Sequence, residues 1–406
     1  MNVLHINSYD TRGGAESVFS ITRNLQGVDN FSGCVVLDKL TDNVNIPFHS
    51  WEENSLIAGS INYIFSFYNY NLLKKFLESN RIDIIHLHGF FASLSPSVLL
   101  AVRNAKRKQG IRVVQTLHDF HVVCPNASLY NYSVDKICEK CLGRKYKFSI
   151  FTNNCDRRGW AHSIIKGIRS FLSHNIINHR NIIDKFICPS EFLKNKLITD
   201  GIDANKIFIV SNPIMIKEVK QIPEKKNVIC YFGRFSVEKD LPFLIKAFSK
   251  WKLKGSNSFE LLLIGGGEEE GKLKSEVFQS AAKESIKILN YMPYSELVAN
   301  VSHAKYFSLT SNCYENAPMS IMEAFSMNIL PIAPDLGGMK ESIDSIAGCG
   351  VSYQSGNVDS WIEAVELLER NYHDRIEKLN SIKGDILKNI GIENYYKNIL
   401  DIYKVL

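Results

Sequence analysis

Tyr306-Phe307-Ser308-Leu309-Thr310-Ser311-Asn312-Cys313-Tyr314-Glu315-Asn316-Ala317-Pro318-Met319-Ser320-Ile321-Met322-Glu323-Ala324 joins two kinds of hydrophobic pattern. Residues 306–309 are a short apolar run of strand character, residues 319–326 space their apolar side chains as a helix does, and a β-branched run follows at 329–333. Strand, polar turn, helix and strand in that order predict a βαβ unit, whose strands lie parallel in a sheet covered by helices. Pro318 suits a first helical turn, where a missing N–H costs nothing. The amides that follow are placed to hold an anion such as a phosphate.

The same alternation extends outward. Strand patterns at 228–233, 259–264 and 286–289 precede this unit, with helix patterns such as 241–251 between them. An earlier series has strands at 3–7, 34–39, 83–88, 113–118 and 185–189 and helices near 15–25, 61–79, 94–108 and 164–178. These predict two doubly wound α/β domains, 1–212 and 213–389, and a chain of 406 residues is long enough to need both cores. The polar, proline-bearing stretch 212–226 reads as the linker. Parallel sheets take ligands at the carboxyl ends of their strands, so two such domains facing each other would form a cleft lined by strand-end loops. Residues 395–406 read as an amphipathic helix with Tyr396, Leu400 and Tyr403 on one side.

The strand-end loops carry the chemistry. In Phe232-Gly233-Arg234-Phe235-Ser236-Val237-Glu238-Lys239 a guanidinium fork and a compact ammonium stand five positions apart, able to converge on a diphosphate; a solvated loop is the plainer reading. Thr11-Arg12-Gly13-Gly14-Ala15-Glu16 follows the first strand, and its paired glycines let amides at a helix start approach a phosphate or a sugar hydroxyl. A tight turn with glycine in the left-handed region accounts for the same residues. Glu315 before the helix and Glu323 inside it can accept hydrogen bonds from hydroxyls on two sides of a bound phosphate, the layout of a nucleotide sugar. For Glu323 the alternative is a half-buried helix charge paired with a lysine.

In this order and at these separations, the three stretches resemble the retaining family 4 glycosyltransferases, also called the group 1 family, over nearly the whole chain and most closely in its second half. The resemblance implies a GT-B fold: two Rossmann-like domains facing a cleft, with a C-terminal helix at about 390–406 packing back on the N-terminal domain. Glu315 and Glu323 reproduce the family's E-x7-E element. By resemblance Glu315 contacts the donor sugar together with the loop Asn316-Ala317-Pro318, and Glu323 contacts the ribose. Arg234 and Lys239 neutralise the diphosphate leaving group with the amides of Met319 and Ser320. Gly13 and Gly14 line the site from the first domain. His118-Asp119 ends the strand at 113–118, where the family often places a histidine reaching the transferred sugar; a structural histidine is the alternative. Two departures stand out: Asp240 replaces the family's usual glycine after the lysine, and Glu315-Asn316-Ala317-Pro318 replaces the common Glu-Gly-Phe-Gly, so this loop does not name the sugar.

The implied chemistry keeps the anomeric configuration: an acceptor hydroxyl attacks on the face the phosphate leaves, through an oxocarbenium-like state, with fixed positive groups stabilising the departing charge. No Asp-x-Asp occurs in the sequence, in keeping with transfer that uses no catalytic metal or other cofactor. Family membership further implies a UDP- or GDP-linked donor and a lipid-linked saccharide acceptor in O-antigen, capsule or exopolysaccharide synthesis. A small soluble acceptor and a regulatory protein that binds nucleotide sugars without turnover are the rivals. A nicotinamide-dependent dehydrogenase is excluded, because Gly265-Gly266-Gly267 lacks the G-x-G-x-x-G spacing and runs into three glutamates.

Between about 120 and 160 lies an insertion with Cys124, Cys138, Cys141 and Cys155 spaced Cys-x13-Cys-x2-Cys-x13-Cys. Four thiols around one C-x2-C knuckle suit tetrahedral zinc, which would order a long loop poor in apolar residues; an iron–sulfur cluster uses the same ligands, and free thiols or two disulfides are the alternatives. Arg144, Lys145, Lys147, Arg157, Arg158, Lys166 and Arg169, interleaved with Tyr130, Tyr132, Tyr146, Phe148, Phe151 and Trp160, are arranged to rest on an anionic membrane surface or to form solvated helix faces. The net charge of +6 favours anionic partners, but Lys106-Arg107-Lys108 and Lys225-Lys226 are too short to predict nucleic-acid binding. With no signal-peptide pattern at 2–7 and no run of 18 apolar residues, a cytoplasmic protein is expected, peripheral at most to the inner membrane.

Overall fold

The computed structural model describes residues 1–38, 44–214, 223–255 and 258–406; position 39 of the strand expected at 34–39 and positions 215–222 of the expected linker lie outside them. The chain forms two compact units, Met1–Pro213 with Ile392–Leu406, and Ile214–Gly391.

The first unit is built on seven parallel strands: β1 (Asn2–Tyr9), β2 (Asp29–Val35), β3 (Ile46–Pro47), β4 (Ile84–Leu87), β5 (Arg112–Thr116), β8 (Lys185–Cys188) and β9 (Ile207–Ile209), in the order β3-β2-β1-β4-β5-β8-β9. Seven consecutive residues of β1 are buried, as expected where helices cover both faces of a parallel sheet. A two-stranded antiparallel ribbon, β6 (Tyr130–Asn131) with β7 (Lys136–Ile137), lies in the insertion. The strand expected at 34–39 runs instead from Asp29 to Val35, where pairing with β1 fixes it. The helix expected at 61–79 is two helices, Leu56–Ile64 and Phe67–Ser79. Phe65 is extended between them, and the Ser66 hydroxyl accepts from the Asn69 amide to cap the second.

The last helix, Ile392–Lys404, belongs to this unit. It buries Tyr395, Ile399, Ile402 and Tyr403, so the inward stripe follows i, i+4, i+7, i+8 rather than the expected Tyr396, Leu400 and Tyr403. Tyr395 shares a hydrogen bond of 2.7 Å with Thr22, and Tyr403 reaches His86 at 2.6 Å.

The second unit holds β10 (Lys226–Arg234), β11 (Glu260–Gly266), β12 (Ile286–Asn290), β13 (Ala304–Ser308), β14 (Leu330–Pro334) and β15 (Val351–Tyr353), all parallel, in the order β12-β11-β10-β13-β14-β15. Its core packs Phe248, Tyr306, Phe307 and Trp361, and the Trp361 indole N–H donates to the buried Ser308 hydroxyl at 2.9 Å. Each sheet reverses its winding once, between β1 and β4 and between β10 and β13. Loops leaving neighbouring strands at such a point diverge to opposite faces and leave a crevice for a ligand. Among the described residues no helix is long and apolar enough to cross a membrane.

Candidate functional site

In the second unit the winding reversal brings two expected loops together. Arg234 closes β10 and Lys239 closes the 3-10 turn Val237–Lys239, while Glu315 follows β13. The Lys239 ammonium pairs with the Glu315 carboxylate, which also accepts from the buried Ser311 hydroxyl. Burial alone would raise the Glu315 carboxyl, but Lys239 and Ser311 outweigh it and hold it below the ordinary range; burial would lower Lys239, and Glu315 raises it instead. Arg234 reaches Glu238 at 3.3 Å and keeps its side chain 71% exposed, so its fork is available to an incoming anion. The two loops are tied by Thr310, whose hydroxyl donates to the Lys239 carbonyl at 2.8 Å, and by the Asn312 amide, which donates to the Glu238 carbonyl at 3.1 Å.

Pro318 stands immediately before the helix Met319–Ser326, not within its first turn. Met319 and Ser320 therefore supply first-turn amides, which have no acceptor inside the helix. Asn316 is buried beside them. Glu323 is half-buried in the next turn, and among the described residues no lysine pairs with it, which removes the helix ion-pair alternative. Burial alone pushes its carboxyl up to about 7. Asp240 adopts φ 47° and ψ 49°, the left-handed conformation that makes glycine usual here. Aspartate tolerates that region, and its carboxylate caps the following helix by accepting from the Phe243 amide.

Three glycines to which the sequence reading assigned no role in the site hold these loops close. A Cβ on Gly338 would lie 1.7 Å from the Asn316 carbonyl oxygen, and the Gly338 amide donates to the Glu315 carbonyl at 2.9 Å. A Cβ on Gly265 would lie 1.9 Å from the Gly233 carbonyl oxygen, and one on Gly267 2.2 Å from that of Phe235. The Gly-Gly-Gly run thus lets the Arg234 loop cross the end of β11; glycine pairs following strands were the available signal.

Gly13, Gly14 and His118 belong to the first unit. Gly14 begins the helix Gly14–Thr22, and Gly13 precedes it with φ −173°, extended rather than left-handed, which sets aside the tight-turn reading. Thr11 to Gly14 are exposed, and the Asp10 carboxylate below them accepts from the amides of Thr11, Leu37 and Asp38. His118 follows β5 and stacks on His88, with their ring nitrogens 3.3 Å apart. Burial, partly offset by Asp119, brings its pKa down to about 4, so the ring is neutral near pH 7 and acts through hydrogen bonds, not charge.

The four insertion cysteines are free and line one small cavity. The expected membrane-facing set needs correction. Lys147 is buried against Asp200 at 2.5 Å, Arg169 is 1% exposed, Tyr130 is buried, and Arg158 and Lys166 both pair with Asp156. Arg144, Lys145, Tyr146, Phe148, Arg157 and Trp160 are exposed.

Two sheets of parallel strands, each with a crevice at its winding reversal and one bearing a cation–carboxylate pair beside a helix start, define the GT-B class of glycosyltransferase folds. The Glycosyltransferase Family 4 model matches residues 52–218 and that of the Glycosyl transferases group 1 matches residues 214–383, and the chain belongs to this family. An uncharacterized glycosyltransferase of Methanocaldococcus jannaschii is 27% identical over 158 residues, 37% of each chain, so this chain spans well under half the length of that relative. The lipopolysaccharide 1,6-galactosyltransferase of Salmonella typhimurium is 24% identical over 185 residues, 44% of this chain and 50% of that protein. The solved structure of Anabaena HepE in complex with UDP-glucose superposes with a TM-score of 0.68 at 14% identity over the whole of both chains, a likeness of fold.

Gly338→Ala should push the Glu315 loop off Gly338 and weaken nucleotide-sugar binding about tenfold or more in isothermal titration calorimetry, while circular dichroism stays unchanged. Binding within twofold of the parent would show that the close approach is dispensable.

Proposed function

We propose that the chain is a retaining, metal-independent glycosyltransferase that moves a hexose from a UDP- or GDP-linked donor to a lipid-linked saccharide of a surface polysaccharide such as O-antigen, capsule or exopolysaccharide. The reading rests on the Lys239–Glu315 pair beside the first turn of the helix Met319–Ser326. A diphosphate entering there meets Lys239, the exposed Arg234 fork and the amides of Met319 and Ser320. All four act on the charge that grows as the glycosidic bond breaks, and because they are already in place they stabilise it without reorganisation. As the diphosphate engages Lys239, the Glu315 carboxylate gains an acceptor position for the hexose hydroxyls, flanked by Asn316 and Pro318. Glu323 accepts from the ribose diol. By resemblance to the family, His118, neutral, and the Gly13-Gly14 amides serve hydroxyls of the transferred sugar. The leaving diphosphate serves as the base for the acceptor hydroxyl.

The relative that makes lipopolysaccharide linkages supports a lipid-linked acceptor. So does an exposed aromatic row: Tyr146 stacks on Phe148 at 5.5 Å, Phe148 on Phe171 at 6.5 Å, and the Lys145 ammonium lies 5.5 Å over Tyr146. Aromatic rings with basic neighbours suit the headgroup layer of an anionic membrane, which would place the protein peripherally on the cytoplasmic face of the inner membrane.

Three measurements test this. Lys239→Ala and Glu315→Gln should each lower kcat/KM by about 10²-fold or more with a preserved fold, in line with loss of a preorganised charge-stabilising group; unchanged turnover in either variant refutes its role. Nucleotide affinity should rise between pH 6 and 8 as Glu323 ionises and becomes an acceptor for the ribose. The raised pKa means that ionisation costs the folded chain stability as pH climbs from the unfolded value through about 7. Glu323→Gln should therefore flatten the affinity profile and stabilise the chain at pH 8 by up to about 3 kcal/mol; a profile as steep as the parent's removes Glu323 from the ribose. Phe148→Ser combined with Trp160→Ser should abolish co-sedimentation with phosphatidylglycerol vesicles, and undiminished binding would move the membrane contact elsewhere.

A further inference from the structure

The insertion between β5 and the helix Trp160–Phe171 has little to hold it. Its regular structure is the two-residue strands β6 and β7 and the four-residue helix Ser149–Thr152. Yet it brings Cys124, Cys138, Cys141 and Cys155 from separate turns to one cavity of about 10 Å³, where none forms a disulfide. Cys124, Cys141 and Cys155 are each 8% exposed. Four thiols that converge from three places, Cys124, the Cys138–Cys141 knuckle and Cys155, are not explained by packing, because the transfer chemistry uses none of them and a small apolar side chain would fill each position as well.

Burial raises the thiols of Cys124, Cys141 and Cys155, while amides and ammonium groups stand around their sulfurs. The backbone amides of Leu129, Asn126 and Ser128 are directed at the Cys124 sulfur. They can be because Ala127 and Leu129 hold φ 63° and 50°, a left-handed conformation unusual for a bulky residue such as leucine. Successive amides turned inward in this way form a nest for an anion. Lys166 lies near Cys124, Lys147 near Cys141 and Lys140 near Cys155. Among the described residues the three ligand-type atoms already within 4.8 Å of one another belong to His5, His86 and His88. Those rings are less suited: both His86 nitrogens are already hydrogen-bonded, to Tyr403 and Thr116, and a His5 nitrogen to Asn30.

We propose that the four cysteines bind one structural zinc ion, which draws their sulfurs from the rim of this cavity into a tetrahedral set and fixes the insertion. Four S–H bonds break, four protons pass to solvent and four Zn–S bonds form, leaving a site of charge −2 beside the three lysines and the amide nest. The zinc is resident, not catalytic. Its effect reaches the site through a short closed loop: the Cys124 amide donates to the Phe120 carbonyl at 2.8 Å, the Ala127 amide to the Cys124 carbonyl at 2.8 Å, and the Phe120 amide to the Ala127 carbonyl at 3.1 Å, beginning next to Asp119 and His118. The metal would thereby hold the end of β5 in place. This inference does not depend on the transfer reading.

The test uses the full chain purified under reducing conditions without chelator. Elemental analysis should find about one zinc per chain. Chelation with 1,10-phenanthroline should release it, expose the four cluster thiols to dithionitrobenzoate, and raise hydrogen exchange across 120–159 by about tenfold or more while Ile214–Gly391 keeps its protection. Zinc chloride should reverse all three changes. Cys138→Ser, at the least buried of the four, should lower zinc occupancy, and Cys349→Ser, a buried cysteine of the second unit, should leave it unchanged. The proposal is overturned by less than about 0.1 zinc per chain with no uptake when zinc is added to the reduced protein, by iron with acid-labile sulfide in place of zinc, or by an intact mass showing a disulfide within the four.

Discussion

A half-buried ammonium and carboxylate set the terms for the second unit. Each of Lys239 and Glu315 would be costly alone at that depth, and together they are tolerable only if two loops from different strands meet within a hydrogen bond. The winding reversal supplies the meeting point, because β10 and β13 lie side by side while their following helices leave in opposite directions. What surrounds the pair serves its closeness: Thr310 and Asn312 tie one loop to the other, Ser311 satisfies the carboxylate, and Gly338, Gly265 and Gly267 remove side chains from places where backbone oxygen presses in. Asp240 turns the chain sharply enough to start a helix directly after Lys239.

Much of this was legible in the sequence, for identifiable reasons. The helix Met319–Ser326 was read with its observed ends because a proline before it and a β-branched strand after it punctuate both sides. The alternation of elements carried the doubly wound class, since strands buried on both faces show as continuous apolar runs. Strand order was not readable: nothing local in residues 228–239 or 304–318 says that β10 and β13 are neighbours. The last helix was assigned correctly, but its inward face was off by one position, because tyrosines occur at 395, 396 and 403 and period alone does not choose among them. The Gly-Gly-Gly run at 265–267 was weighed only as a phosphate loop, although its place at a strand end marks a backbone crossing.

The same limit explains the basic residues of the first unit. Composition put Arg169 on a surface, yet its guanidinium lies between the rings of Tyr63 and Phe91, 4.1 and 4.4 Å from their centroids, and donates to the carbonyls of Phe91 and Leu94. Carbonyl oxygens and aromatic faces offset the loss of water, helped by the charge of Asp119. Arg169 thereby fixes the segment that follows β4, next to the stacked His88 and His118. Lys147 shows the commoner solution, a buried aspartate, Asp200, which also receives Arg180 and the Gly143 amide.

Tyr395 and Tyr403 complete the interior of a unit whose other residues end at Pro213. During synthesis the whole segment Ile214–Gly391 must be made before these two rings arrive, and translation adds on the order of 5–20 residues each second. The intervening unit, contiguous in the chain, has time to fold on the ribosome, whereas the earlier one waits with Thr22 and the His86 ring unfilled. Premature termination between Gly391 and Tyr395 would therefore release a protein with one finished half and one open half, a natural substrate for chaperones and proteases.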